Sequence, residues 1–303
     1  MERKDSLDTL GILFLIWFSA MLGLNQVLVK LVNETLQPVF QAGLRSALAF
    51  IPVFAWALYR RKKLSITDGT LGVGIFLGFL FGCEFILLFY SVEYTTVSRV
   101  SIFFYTMPIW LAIVAHFVLP NEKLSLIRSI GLALAIGGIV LALSDKTPDP
   151  NHTKGMIGDL MALSASFLWL GIALMARKSS IQKCSAEMAM LYQLGVSAIL
   201  LLPLAFMIGD LVVGPMTAKF FSIYFVQIFV IVAFGFLVWF WILTIYPASD
   251  MAAFSFLSPV FGVIFGWLFL NESISARTLI ALILVAFGIY FVNQKAKNTT
   301  TSS

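Results

Sequence analysis

The chain has 303 residues, of which 60% are hydrophobic and only 12% are charged. Soluble domains carry about 25% charged residues, because charge is what covers a water-facing surface, so a wholly water-soluble globule is excluded. The formal charge of +5 is no nucleic-acid signature, since the basic residues gather beside apolar runs, and two cysteines (Cys83 in an apolar run, Cys184 in a polar connector) do not make a disulfide framework.

In chain order, apolar runs fall at 10–31, 38–59, 69–91, 98–119, 126–144, 157–177, 187–208, 221–245, 250–270 and 276–293. At ~20 residues and ~1.5 Å rise each, such runs cross a hydrocarbon layer of ~30 Å as helices; a spanning strand would need ~10 alternating residues. The expected fold class is an all-α polytopic membrane protein of about ten transmembrane helices, with short connectors that make neighbours antiparallel. The first run is longer than a signal-peptide core and has no small-residue cleavage pattern, so it reads as a retained helix.

Orientation follows from the basic residues. With the N-terminus inside, one side carries Arg3, Lys4, the Arg60–Lys63 cluster, Lys123, Arg128, Arg177, Lys178, Lys183, Lys295 and Lys297; the other carries Lys30, Arg99, Lys146, Lys154, Lys219 and Arg277. That is roughly a twofold excess in the positive-inside sense, so both termini are expected in the cytoplasm and the protein in the plasma (inner) membrane. Residues 295–303 are polar and low in complexity and are expected to be a disordered cytoplasmic tail. The glycosylation sequons at Asn33, Asn151, Asn271 and Asn298 are low-specificity matches and read as coincidence.

The ends of the two halves can be laid on each other. Ser91–Leu143 and Leu243–Gln294 align so that Tyr94 meets Tyr246, Pro108 meets Pro259, Asn121-Glu122 meets Asn271-Glu272, Ser125 meets Ser275 and Gly138 meets Gly288. The chain therefore reads as two five-helix repeats, 1–146 and 155–294. Asn121 and Asn271 stand where a left-handed residue would end a helix, and Ser125 and Ser275 are placed to cap the next one. Glu122 and Glu272 are expected to steady these hairpins by meeting the N-terminus of a following helix. Pro108 and Pro259 fall near the middle of their runs, where each would kink its helix and act as a hinge. Five helices per repeat is odd, so the second repeat enters the membrane inverted, which is the common architecture of secondary transporters.

These residues resemble the drug/metabolite transporter superfamily, specifically its EamA-type ten-helix exporters. The shared pattern is a tyrosine-bearing turn, a helix with central proline, a Glu-containing hairpin and a Gly-rich last helix, seen twice, with Gly158-Asp159-Leu160 opening the second half. The family usually has Gly before the hairpin Glu, where this chain has Asn121 and Asn271 in the same backbone role. The resemblance implies an inner-membrane carrier that exports small metabolites, amino acids or drugs; the substrate itself does not transfer.

Ionisable side chains inside spans are costly and default to function. Away from the span ends there remain Arg45 in the second run, Glu84 in the third and His116 toward the inner end of the fourth. Counted from the Arg60–Lys63 turn, Arg45 and Glu84 reach similar depth, roughly 10 Å below the outer boundary, and Asn25 and Gln26 share that level. Gln193 lies at comparable depth from the other side, and Tyr105, Trp169, Ser255 and Ser258 are the candidate lining between. Arg45 and Glu84 are either a permanent ion pair or working groups, Arg45 holding an anion and Glu84 carrying a proton. His116 reads as a helix-end cap.

The expected function is secondary active export of a small solute by alternating access, with protons as a candidate coupling ion; a facilitator or importer of the same fold is the alternative. Sugar-phosphate exchange would want more than one buried cation, and a scaffold would not need an inverted repeat. No HExxH, GxSxG, intramembrane aspartate pair or Cys/His metal spacing occurs, so neither an enzyme nor a cofactor or metal site is expected. The partners expected are the lipid bilayer and the solute, with no nucleic acid; one chain holds both halves of a pathway and can work as a monomer.

Overall fold

The computed structural model describes residues 7–118, 124–145, 154–246, 251 and 254–294. Asn121, Glu122, the Asn151 sequon and the tail 295–303 lie outside the described residues. Among the described residues twelve α-helices run in order: α1 Thr9–Asn33, α2 Pro38–Tyr59, α3 Leu71–Tyr94, α4 Val97–Phe104, α5 Met107–Val118, α6 Leu126–Ser144, α7 Gly155–Lys178, α8 Ala186–Ile208, α9 Ala218–Phe225, α10 Phe236–Ile245, α11 Leu257–Leu270 and α12 Ala276–Val292. A π-helical stretch, Val226–Gly235, joins α9 to α10. The fourth span is thus α4 plus α5, and the eighth is α9, the π stretch and α10. Eight of the spans are long and apolar enough to cross a membrane, and α11 and α12 are shorter apolar helices. Large apolar side chains such as Phe117, Ile199 and Met207 are fully outward-facing, as lipid-contacting residues must be.

Each hairpin is built as its end residues dictate. Asn271 takes the left-handed conformation (φ 53°, ψ 33°) that ends α11. Ser275 and Ser125 then cap the following helices, accepting from Thr278 N at 3.0 Å and Arg128 N at 3.4 Å. The prolines act differently from the expected mid-helix kink. A turn at Tyr105–Thr106 breaks the fourth span outright, and Pro108 sits in the first turn of α5, where its missing N–H has no partner to lose. Pro259 likewise lies in the first turn of α11, after a turn at 254–256.

The two halves are related by a pseudo-two-fold axis in the membrane plane. Spans 2 and 7, 4 and 9, and 5 and 10 pack against one another; the contact of span 3 with 6 is mirrored by that of span 8 with 1, span 1 with 9 by 6 with 4, and span 3 with 7 by 8 with 2. The most intimate pair, α6 and α12, shows the symmetry at residue level. A Cβ on Gly131 would stand 2.9 Å from the Gly288 carbonyl, and one on Gly138 would stand 2.9 Å from the Ala281 carbonyl. Gly131 aligns with Ala281 and Gly138 with Gly288, so the crossing maps onto itself, with small residues letting the backbones meet. Both described ends of the chain lie on one face of the bundle, called here the terminal face, where Arg128 Nε donates to the Gln294 carbonyl at 3.0 Å.

Candidate functional site

Seven of the nine residues singled out for a solute come together. Asn25, Gln26, Arg45, Glu84, Tyr105, Trp169 and Gln193 all line one cavity of about 340 Å³ between the halves. Its upper end is polar and deep: Arg45 and Glu84 are 2% and 4% exposed. Its other end reaches Met190 and the exposed Ala176, two residues from the end of α7, so it opens toward the terminal face. Ser255 and Ser258 lie outside this cavity. Ser255 accepts from Asn293 Nδ2 at 3.1 Å, joining spans 9 and 10, and Ser258 is buried in α11.

Arg45 and Glu84 share the cavity without forming an ion pair with each other. The guanidinium donates to Asn25 Oδ1 at 3.3 Å and stands 4.5 and 4.6 Å from the ring centres of Phe85 and Phe89, while its Nε has no partner. One carboxylate oxygen of Glu84 is also unpartnered. A buried charge without its counter-charge costs several kcal/mol unless something else answers it (estimates of ~3–5 kcal/mol apply when a partner is removed). Here the face of two aromatic rings answers the cation only in part. The walls below are aromatic: Trp169 stacks on Phe104 at 5.0 Å and meets Tyr105 edge-on at 6.2 Å, and Trp239 stacks on Phe18 at 4.5 Å. Tyr105 donates to the Leu22 carbonyl at 2.8 Å, so its ring is fixed as wall. Gln193 folds its amide back to the Ala189 carbonyl at 3.3 Å, on its own helix. His116 accepts from Leu124 N at 3.1 Å as the expected end cap and stands away from the cavity.

Two polar features do not stand out in the sequence, and a third, Glu272, finds a different partner from the one expected. On the face opposite the termini, Arg99 at the start of α4 binds Asp159 of α7 through Nε and Nη2 (2.5–3.1 Å), with Nη2 also donating to the Ala142 carbonyl at 2.8 Å. Nearby, Glu272 does meet a helix N-terminus, but that of α4 in the other repeat: it accepts from Val97 N at 2.6 Å, Ser98 N at 2.9 Å and Ser98 Oγ at 2.7 Å. Lastly, Gln227, in the π stretch, is completely buried with neither amide atom partnered. Its signal is a lone glutamine in the apolar run 221–245, of the same kind that drew attention to Gln26. The Asn33 sequon is closed to modification, since its amide is buried and donates to the Phe89 carbonyl at 2.9 Å.

Comparison with known proteins agrees with this architecture. The model of the EamA-like transporter family matches residues 9–144 and again 156–294. The uncharacterized transporter YoaV of Bacillus subtilis is 28% identical over 277 residues, 91% of this chain and 92% of that protein. A probable amino-acid metabolite efflux pump of Escherichia coli is 25% identical over 301 residues, 96% of this chain and 95% of its own. A solved crystal structure shares the fold with a TM-score of 0.64 at 17% identity, over 92% of this chain and 95% of the other. With the family's model matched twice, once on each inverted half, this chain belongs to the EamA-like transporter family and is a multi-pass membrane protein of solute transport.

Proposed function

We propose that the chain is a secondary active exporter of a small zwitterionic solute with an apolar or aromatic side chain, of amino-acid size, working by alternating access. The observation that carries this reading is the separation of Arg45 from Glu84 within one aromatic-walled cavity. A carboxylate on the solute would take the guanidinium's free donor, an ammonium would take the Glu84 oxygen, and the solute's side chain would lie against Phe104 and Trp169. At about 340 Å³ the space is near the small end for ligand pockets, which suits a single amino acid. The name of the Escherichia coli relative, an amino-acid metabolite efflux pump, points the same way. The positive-inside excess supports an orientation with the terminal face, and so the cavity mouth, toward the cytoplasm of the plasma membrane. Solute would enter from inside, as an exporter requires. Glu84 is also the group that can carry a proton inward in exchange.

Counterflow in proteoliposomes tests this, with amino acids offered one at a time. The expected result is stereoselective exchange of an apolar or aromatic amino acid, weakened ~10–100-fold in apparent affinity by Arg45→Gln, the equivalent of one charge-assisted hydrogen bond. Glu84→Gln should abolish the response to an imposed pH gradient. Exchange indifferent to Arg45→Gln would refute the zwitterion reading, and pH-driven uptake surviving Glu84→Gln would remove the proton role.

A further inference from the structure

The cavity described above is half of a path, since it ends blind at Arg45. Its terminal-face walls come from spans 3, 6, 7 and 8. The pseudo-two-fold exchanges spans 6, 7, 8 and 3 for 1, 2, 3 and 8, so the matching vestibule on the opposite face belongs between α1, α2, α3 and the eighth span. In this structure these four spans are tied together by side-chain hydrogen bonds. Asn33 Nδ2 of α1 donates to the Phe89 carbonyl of α3 at 2.9 Å; Gln41 of α2 donates to Asn33 Oδ1 at 2.8 Å and to the Val29 carbonyl at 3.1 Å. Tyr224 of the eighth span donates to the Gln41 carbonyl at 2.9 Å, and Gln37 donates to Tyr90 Oη at 3.1 Å.

Behind these ties lies an excess of polar atoms with nothing to bind. Gln41 Oε1, Ser46 Oγ and both amide atoms of Gln227 are buried and unpartnered, each on a residue with no exposed surface. Together with Gln26 Oε1 and Arg45 Nε, they account for most of the orphaned side-chain atoms among the described residues. At ~1.5 Å per residue, Ser46 and Gln227 stand roughly 12–14 Å below the opposite-face ends of their helices, level with Arg45 and Gln26. A closed seam would be more stable with apolar residues here, because each buried orphan forfeits its hydration. Their retention makes sense if another state gives them partners. Gln227 also sits in ten residues of π helix, whereas its symmetry mate α3 is regular throughout. A change from i→i+5 toward i→i+4 bonding there would turn the two ends of the eighth span relative to each other.

We propose that the seam between α2 and the π stretch is the closed second half of the solute path, and that Gln41, Ser46 and Gln227 receive the solute's polar groups when it opens. This rests on the transport reading. The test uses full-length protein carrying Cys83→Ser and Cys184→Ser, reconstituted in oriented liposomes, with Ser46→Cys or Gln227→Cys added singly. A membrane-impermeant cationic thiosulfonate is applied from the opposite face during L-phenylalanine counterflow. The introduced thiols should be modified from that face, at least tenfold faster than one at Ala135, sealed in the α6–α12 crossing. In parallel, Gln227→Leu should lower phenylalanine exchange at least tenfold, while its melting temperature stays level or rises and phenylalanine still quenches the cavity tryptophans. Labelling no faster than at Ala135, or full-rate exchange by Gln227→Leu, would overturn the proposal. Labelling without any phenylalanine exchange by the parent protein would uphold the path and refute only the choice of solute.

Discussion

The bond from Glu272 to the start of α4 offers a test of how the two repeats hold together, independent of any solute. Glu272→Ala removes an acceptor that serves two main-chain N–H groups and the Ser98 hydroxyl, all at 2.6–2.9 Å. Those amides belong to the first turn of α4 and have no partner within the helix, so the substitution leaves buried donors exposed to no acceptor. Losing two such bonds costs ~1–3 kcal/mol each, and the lost carboxylate at a helix N-terminus adds ~0.3–1 kcal/mol. Glu272 is 9% exposed, so water can enter and recover part of this. A net destabilisation of about 3 kcal/mol is expected, which at ~2–4 °C per kcal/mol lowers the apparent melting temperature in detergent by about 6–12 °C. Differential scanning fluorimetry of the purified protein measures it, with Ser98→Ala and the double variant completing a cycle. Because the Ser98 hydroxyl binds the same carboxylate, the two losses should be strongly non-additive. A Glu272→Ala shift under about 2 °C, or additive losses, would mean that the carboxylate does not hold the repeats together.

Arg99→Ala should be among the most damaging single changes, at ~3–5 kcal/mol by the same thermal assay, since it takes the counter-charge from the buried Asp159 and leaves it the Thr95 hydroxyl at 3.0 Å; Arg99→Ala with Asp159→Ala should recover part of that. Gly288→Val places a side chain where even a Cβ would stand 2.7 Å from the Gly131 carbonyl, and overpacking of ~1–3 kcal/mol or loss of the folded monomer peak on size exclusion is expected. On the terminal face, hydrogen bonds from the Thr70 hydroxyl (2.6 Å) and main chain (3.0 Å) hold the Asp68 carboxyl below its ordinary value. A depressed carboxylate stabilises the fold above its unfolded pKa and loses that contribution as pH falls through the folded value. The difference in melting temperature between the parent and Asp68→Asn should therefore be constant above pH ~5 and shrink below ~4. Burial raises the Cys184 thiol, so its alkylation by a maleimide at neutral pH should be slower than that of free cysteine and should accelerate as pH is raised.

What could be read from the sequence was whatever depends on one helix at a time, or on the repeat. Span positions follow from hydropathy, the left-handed Asn271 from its place after an apolar run, and the shared level of Arg45, Glu84, Asn25 and Gln26 from counting residues inward from span ends; that Gln193, expected in a separate layer, lines the same cavity does not. The features that do not follow from the sequence depend on which helices become neighbours. Glu272 reaches α4 because span 9 packs on span 4 across the pseudo-axis, and no local pattern encodes that. Arg99 and Asp159 lie near span ends, where a charge is cheap, so neither stood out until the fold paired them. Ser255 lies within the turn at 254–256 and Ser258 in the first turn of the helix after it, and that turn brings Ser255 to Asn293. The π stretch has no sequence signature, being a matter of hydrogen-bond register within a uniformly apolar run.

Two nearly equivalent halves would, by symmetry, give a bundle equally open or equally shut at both faces. The structure departs from this in a definite direction. The opposite face is drawn together by the ties of Asn33, Gln41, Tyr224 and Gln37, by Glu272 on α4 and by Arg99 with Asp159. On the terminal face the described residues of the corresponding helices and their connectors meet through Thr70 with Tyr192 at 3.3 Å, Ser180 with the Gly69 carbonyl at 3.3 Å and Lys62 with Glu187 at 3.0 Å, and the cavity mouth lies beside them. At a net ~1 kcal/mol per hydrogen bond, the opposite-face ties together favour the state seen by several kcal/mol. A carrier that cycles cannot leave such a gap uncompensated, since a 99:1 preference is already ~2.7 kcal/mol and each further 1.4 costs tenfold in population. If the seam opens as proposed, the unpartnered atoms of Arg45, Glu84, Ser46 and Gln227 would supply the opposing term. They destabilise the closed seam by the hydration they forgo, and a solute bound between Arg45 and Glu84 would shift the balance further if it binds the opened seam more tightly. On that account, removing orphans without removing ties, as in Gln227→Leu, should deepen the state seen here, whereas Tyr224→Phe, which removes a tie, should favour its opposite. Accessibility of a thiol introduced at Ser46 should thus fall in the first background and rise in the second; movement in the same direction in both would show that ties and orphans do not oppose each other.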